Sequence, residues 1–349
     1  MPKKTRRYFV AAAAASTFAS LAFAQAPNPP MGLIVVSGIS GGSGGGGGGG
    51  PVTGTIETGG SITIAGSGFG TLPSYSNMLD VPLAADYGTM TDGATVPSGA
   101  SYPWDDNSFN DPDSMKFETS GLRTTDTSAM FYTALSRGYM QFPNDMTPGP
   151  EIYVSYWIKP AGDVLAGSHS TKFIRIWDNP NGLATRVSWT QMHLDHSDSN
   201  GPAWGDWPGN ANQWNRNELY ADAPGEYIAT WVNGTATNMT STFDPASDWM
   251  TYGLQAARVG LDAGGSSPPS FPASFSHMYV ANSRARVEIS SSATWAGAGT
   301  AKEVQRVTSW SDTELQIANL QLGQFDGYGG QLYLYVVYDD GTVSAPYEL

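Results

Sequence analysis

A segment rich in glycine and proline holds two tryptophans in surroundings typical of a surface loop. Trp204 and Trp207 lie in GPAWGDWPG, residues 201–209, where glycine and proline disfavour regular structure. A sugar ring has an apolar C–H face that packs on an indole, and carboxylates bind its hydroxyls. Trp204, Trp207 and Asp206 are therefore candidate sugar-binding residues. The alternative is a loop that folds back and buries both indoles.

A second loop is rich in side-chain oxygens. The segment WDDNSFNDPD, residues 104–113, supplies five candidate calcium ligands: Asp105, Asp106, Asn107, Asp111 and Asp113. Calcium takes roughly six to eight oxygen ligands, which closely spaced Asp and Asn residues can provide. The glycine and the final glutamate of an EF-hand loop are absent. The segment predicts calcium as a cofactor, with a solvated Asp/Asn turn as the alternative.

A histidine segment suggests a different chemistry. Residues 189–196, WTQMHLDH, predict a strand with Gln191, His193 and Asp195 on one face. The Gln-x-His pair resembles the motif of alginate-lyase-type polysaccharide lyases. That resemblance implies that Gln191 and His193 neutralise a uronate while a Tyr or His moves the protons of β-elimination. The Arg-x-Glu-x-Arg strand and the Tyr-rich strand of that family are missing. An ordinary polar strand residue is the alternative interpretation of His193.

The charge of the chain limits its partners. It has 31 Asp+Glu against 17 Lys+Arg, a formal net charge of −14, which argues against nucleic acid as a partner. An anionic polymer would need a local basic cleft. Arg175 and Arg216 are our candidates for its ligand-binding residues, with Lys172 and Arg186 as neighbours on predicted strands. The sequence contains no G-x-S-x-G or H-E-x-x-H motif of common hydrolases.

The first 24 residues predict export. Four basic residues precede an apolar stretch, and AFA stands before Gln25, the pattern of a cleavable signal peptide. TRRYFV, residues 5–10, also resembles a twin-arginine motif, so both that route and Sec export stay open. The chain has no cysteine, which excludes disulfides and thiolate chemistry. No later apolar run is long enough to span a membrane. We expect an extracellular or cell-surface protein, with the periplasm as the alternative.

Two segments, one near each end of the chain that follows residue 24, together predict one small domain. Residues 25–54 are rich in proline and glycine and predict a linker. SITIAGSGFG, residues 61–70, resembles the start of an IPT/TIG domain, an immunoglobulin-like β-sandwich. WSDTELQI (310–317) and LYLYVVYDDGTV (332–343) resemble its closing strands. The resemblance implies a sandwich split between residues 55–72 and 286–349, with residues 73–285 inserted at an exposed loop.

The inserted segment predicts a larger β-domain. Its strand candidates are 115–118, 130–132, 151–159, 172–177, 184–193, 215–220, 226–231, 258–262 and 276–281. The order of VSYW, KFIRI, WNRNELY and WVNG resembles concanavalin-A-like (lectin/laminin-G) jelly rolls, and the junction with the small domain resembles secreted bacterial proteins of uncharacterised role. The predicted fold class is all-β, with a two-sheet jelly-roll sandwich plus a small immunoglobulin-like β-sandwich.

Three functions follow from these features. We expect a secreted, non-catalytic protein that binds a polysaccharide or a cell-surface glycan through the jelly roll. The first alternative is a structural or adhesive subunit of an extracellular assembly, formed by self-association through exposed strand edges. The second alternative is a polysaccharide lyase that uses His193 and Gln191.

Overall fold

Strands make up nearly all of the regular structure. The computed structural model describes residues 34–36, 52–72, 75–107, 114–134, 137–165, 170–177, 186–191, 193–196, 203–240, 253–264 and 271–349. The predicted signal peptide, residues 1–24, lies outside these ranges. No helix in the described ranges is long and apolar enough to cross a membrane.

The strands are β1 (Ile34–Val36), β2 (Val52–Gly54), β3 (Ile62–Ala65), β4 (Asn77–Asp80), β5 (Trp104–Asp106), β6 (Lys116–Glu118), β7 (Met130–Thr133), β8 (Arg137–Pro143), β9 (Glu151–Pro160), β10 (Ser170–Trp177), β11 (Arg186–Thr190), β12 (His193–His196), β13 (Ala203–Trp204), β14 (Asn215–Asp222), β15 (Tyr227–Val232), β16 (Thr235–Thr240), β17 (Gln255–Gly264), β18 (Ala273–Ala281), β19 (Arg286–Ser290), β20 (Lys302–Gln305), β21 (Val307–Trp310), β22 (Glu314–Ile317), β23 (Tyr333–Val337) and β24 (Tyr347–Glu348). The helices are α1 (Ala84–Tyr87), α2 (Trp295–Ala298) and the 3-10 helix η1 (Gly323–Phe325).

Two antiparallel sheets form the jelly roll. One has eight strands in the order β16-β15-β14-β9-β18-β7-β6, with β4 also paired to β18, and the other has seven in the order β13-β12-β11-β10-β17-β8-β5. Their facing sides bury one apolar core, which includes Val154, Phe173, Trp189, Val259 and Phe275. Side chains alternate between the faces of a strand, so each sheet has one face in this core and one outer face. The predicted all-β fold class is confirmed.

The small sandwich combines both ends of the described chain. β3 pairs with β22, with Ile62 opposite Ile317 and Ile64 opposite Leu315. The sheet β1-β2-β3-β22-β21 packs on the sheet β20-β19-β23-β24 around a separate core that contains these four side chains. β1 and β2 fall within residues 25–54, the segment predicted to be a linker. Both strands contain β-branched residues, IVV in β1 and VT in β2, and such residues favour strands.

The small sandwich lies against the outer face of the eight-stranded sheet. All five residues of β19 are buried, because both faces of this strand are covered. Val287 and Ile289 belong to the core of the small sandwich. Arg286 and Glu288 point the other way and contact side chains of the eight-stranded sheet. Both sandwiches belong to one compact unit, Gly32–Leu349.

Candidate functional site

The outer face of the seven-stranded sheet carries rows of polar residues across neighbouring strands. In one row, Gln141 is opposite Arg258, Arg258 opposite Arg175, and Arg175 opposite Ser188. These residues alternate with core residues such as Met140, Val259 and Val187, so their side chains point away from the jelly-roll core. A second row contains Lys172 opposite Thr190. Together the two rows form what we call the polar face, in which Arg258, Ser188 and Thr190 are buried and Gln141, Lys172 and Arg175 are half-buried.

Trp204 stands at one end of the polar face. Its side chain is 66% exposed, although the exposure of an indole to water is energetically unfavourable. It is opposite His193 in the register of β12 and β13, and the two ring centroids are 4.7 Å apart. The His193 ring in turn contacts Thr190, with Nδ1 3.1 Å from Oγ1. Strand pairing and ring contact therefore hold an exposed aromatic surface in place beside the second polar row.

Trp207, only three residues later, has the opposite environment. Its side chain is 3% exposed and belongs to the jelly-roll core, where its ring lies 5.5 Å from Phe173. Its Nε1 donates to Asn217 Oδ1 at 3.0 Å, so its polar atom is paired inside the protein. The structure therefore buries one of the two candidate indoles and exposes the other. Asp206, between them, is exposed.

The two candidate arginines, Arg175 and Arg216, lie on different sheets. Arg175 is half-buried within the polar face. Arg216 is 1% exposed on the outer face of the other sheet, where its guanidinium donates to both oxygens of Glu288 at 2.7 and 3.0 Å. It also bonds to Glu218 Oε1 at 3.2 Å. Because β19 covers it, Arg216 holds the two sandwiches together and is not at a surface that a ligand can reach.

Gln191 and His193 do not share a strand, contrary to the prediction. β11 ends at Thr190, and His193 begins β12, which pairs antiparallel with β11. The turn is closed by Thr190 Oγ1, which accepts from the His193 backbone N–H at 3.1 Å. Gln191 lies in this turn, 1% exposed, and its backbone N–H donates to Thr171 O. A tight hairpin has replaced the continuous strand because local alternation does not show where a chain reverses.

The predicted calcium ligands are only partly described. Asp111 and Asp113 lie outside the described residues. Asp105 and Asp106 are adjacent on β5, so their side chains point to opposite faces. The Asn107 amide is buried and already used, because Nδ2 donates to Val96 O and Met115 O and Oδ1 accepts from Met115 N. Within the described ranges no three His, Asp or Glu side chains are grouped to hold a metal ion.

Sequence reasoning missed Arg258 and Gln141 as members of the polar face. Arg258 was within a predicted strand, but nothing in the segment ARVGLD showed that this strand lies between β10 and β8. Its alternation of polar residues with Val259 and Leu261 was the available signal. The pairing order that brings Arg258 beside Arg175 is a long-range property of the sheet.

Comparisons with known proteins find likeness in fold alone. No protein-family model matches the chain, and a search of curated proteins also found no match. Among solved structures, "Cellulose induced protein, Cip1" is 17% identical, with a TM-score of 0.36, over 50% of this chain and 88% of that one. Domain 4 of AbnA, an extracellular arabinanase from Geobacillus stearothermophilus in complex with arabinotriose, is 12% identical, with a TM-score of 0.33, over 55% and 80%. Alginate lyase A1-II' is 16% identical, with a TM-score of 0.34, over 48% and 83%.

Proposed function

We propose that the protein binds a polysaccharide on the polar face, with Trp204 as the stacking surface. The observation that carries the proposal is the 66% exposure of an indole that strand pairing and the His193 ring hold in place. A fixed aromatic ring loses little conformational entropy when a sugar packs on it. Lys172, half-buried in the adjacent row, would bind hydroxyls of the same polysaccharide chain, whereas Thr190 is buried and its Oγ1 is bonded to His193.

The test is a glycan array that carries neutral and uronate polymers. The full chain is expected to bind at least one polymer, and Trp204→Ala should weaken that binding at least about tenfold, as removal of a central aromatic contact does. Tyr328→Ala is the matched control, because Tyr328 is 49% exposed on the small sandwich and should not affect binding. A blank array with and without EDTA, or equal binding by Trp204→Ala, contradicts the proposal.

The same experiments separate the alternatives. Loss of binding in EDTA would support calcium at the loop of residues 104–113, and unchanged binding would argue against it. Ultraviolet absorbance of an unsaturated uronate product, lost in His193→Ala, would favour a lyase over a binding protein. Multimers in size-exclusion chromatography without any glycan binding would favour the structural or adhesive subunit.

A further inference from the structure

A cavity lies between the two sandwiches, away from the polar face. It has a volume of about 130 Å³ and is lined by Glu218 and Trp231 of the eight-stranded sheet, by Arg284 and Arg286, and by Trp295 and Lys302 of the small sandwich. A water molecule occupies about 30 Å³, and pockets for whole organic ligands are typically at least about 300 Å³. The cavity therefore fits one small ion, or one charged group of a larger molecule.

The charges around this cavity do not balance locally. Glu288 accepts from Arg216 at 2.7 Å and from Arg286 at 2.6 Å. Glu218 accepts from Arg216 at 3.2 Å and lies 3.8 Å from Arg286. Two carboxylates thus face two guanidiniums in the buried network. Arg284 and Lys302 add two more cations to the cavity wall.

Aromatic rings, and not carboxylates, hold these two extra cations. Lys302 Nζ lies 3.8 Å from the Trp295 ring centroid, and Arg284 Cζ lies 5.7 Å from that of Trp231. In the part of the chain that the structure describes, neither cation has a carboxylate oxygen within ion-pair distance. An aromatic face attracts a cation but carries no net negative charge, so among the residues that line the cavity the cations outnumber the carboxylates, while Asp340 acts on Arg284 from outside the lining.

Burial makes that excess costly. Lys302 is 8% exposed, and desolvation lowers the pKa of its ammonium, against the opposing effect of Glu288. Glu218 also favours the charged ammonium, while Arg216 and Arg286 disfavour it. An anion beside Nζ would offset the lost hydration of the ammonium group.

The chain also makes room for the Arg284 guanidinium at the cavity. A Cβ on Gly341 would lie 2.2 Å from Arg284 Nη1, and the φ of Gly341 is +82°. A side chain at this turn would displace the guanidinium and strain the backbone. Gly341 thus lets the turn that follows β23 pack on Arg284, while the Arg284 guanidinium still lines the cavity.

We propose that this cavity is an anion site, which binds one carboxylate or small inorganic oxyanion between Lys302 and Arg284. Both donors suit such a group, because an ammonium and a guanidinium each form charge-assisted hydrogen bonds with it. The source is either an organic acid, such as a single uronate, or an inorganic oxyanion such as sulfate. The site is independent of Trp204, which lies on the other sheet.

Isothermal titration calorimetry on the full chain tests the proposal, with glucuronate, sulfate and neutral glucose as separate titrants. We expect a dissociation constant below about 1 mM for glucuronate or sulfate and no heat from glucose. Lys302→Met and Arg284→Gln should each weaken the bound anion at least about tenfold, through loss of a charged donor. Lys159→Met is the matched control, because Lys159 Nζ lies 5.1 Å from the Trp214 ring on the jelly roll. It should leave binding unchanged.

Two results overturn the anion site. One is that neither anion binds the wild-type chain, and the other is that both cavity variants bind the anion as the wild type does. Near-ultraviolet circular dichroism checks that each variant is folded, and Arg284→Gln, at a half-buried position, covers the case in which Lys302→Met does not fold. Trp204→Ala should bind the anion as tightly as the wild type does. The two proposals can therefore fail separately, because absence of glycan binding does not contradict the anion site and absence of anion binding does not contradict the glycan site.

Discussion

The outer faces of the two jelly-roll sheets place similar residues in opposite environments. On the eight-stranded sheet, Arg216 and Glu218 lie beneath the small sandwich and are buried. On the seven-stranded sheet, Lys172 and Arg175 remain half-buried on the polar face. The same alternation of polar and apolar residues produces both faces. What packs on the face therefore decides whether a strand cation is a structural ion-pair partner or a residue that a ligand can contact.

The buried face is held by charge pairs that are costly to break. Moving a charge out of water costs several kcal/mol, roughly, and close pairing with good geometry must offset that cost. Glu288 receives guanidinium hydrogen bonds from both Arg216 and Arg286. Such pairs fix the register of two surfaces, because a shift of one residue would leave buried charges unpaired.

The largest effect is expected from breaking the buried pair. Arg216→Ala should lower the free energy of unfolding by about 5 kcal/mol, the top of the range for a removed ion-pair partner, because it leaves two buried carboxylates short of a donor. Equilibrium unfolding in guanidinium chloride measures this loss. A variant within about 1 kcal/mol of the wild type would show that β19 does not seal this face.

The two loop tryptophans give the next test. Trp207→Ala should cost about 3–5 kcal/mol, because it leaves a cavity in the jelly-roll core. Trp204→Ala, at an exposed position, should change the free energy of unfolding by less than about 0.5 kcal/mol. Thermal or denaturant unfolding of both variants compares them directly. Equal losses would contradict the assignment of one indole to the core and the other to the surface.

Acid should lower the stability of the buried face through Glu288. Burial by itself raises the pKa of Glu288, but Arg216 and Arg286 outweigh it and hold that pKa well below its usual range. A carboxyl with a lowered folded-state pKa adds stability above its unfolded pKa, about 4.3, and this stability is lost as the pH falls through the folded-state value. The wild-type unfolding free energy should therefore fall below about pH 4.3, by up to about 1.4 kcal/mol per pH unit for this group.

Glu288→Gln isolates that contribution. The variant should be less stable at neutral pH, and its stability should change less steeply in acid than that of the wild type. Denaturant unfolding at a series of pH values measures both slopes. Identical slopes for the two proteins would mean that Glu288 does not carry the acid sensitivity.

A small effect is also expected from a cation of the polar face. Lys172→Met should change the free energy of unfolding by less than about 1 kcal/mol, as is usual for a charge that water still reaches. The same guanidinium chloride measurement applies. A loss as large as that of Arg216→Ala would show that the polar face is also a sealed interface.

Several local features were predictable from the sequence. The Asn233–Gly234 turn between β15 and β16 has φ values of +52° and +78° at these residues, which is the backbone that an Asn-Gly hairpin turn needs. Apolar and polar residues alternate around Ile62 and Ile64, which is typical of a strand with one buried face, and both side chains are in the small core. Such features depend on residues close together in the chain.

The membership of the candidate sites was less predictable. Trp204 and Trp207 have nearly the same neighbours in sequence, and only one of them enters the core. Arg175 and Arg216 both alternate with apolar residues on predicted strands, and only Arg216 is covered by β19. The turn after Thr190 likewise separated Gln191 from His193.

The sequence by itself determined that this chain forms strands, where several turns fall and which side chains of a strand share a face. These properties follow from backbone sterics and from a period of two residues, both of which act locally. Tertiary structure alone decided which outer face lies beneath the small sandwich and which keeps half-buried cations such as Lys172 and Arg175. That choice depends on pairing between strands far apart in the chain, such as β3 with β22, and no local pattern contains it.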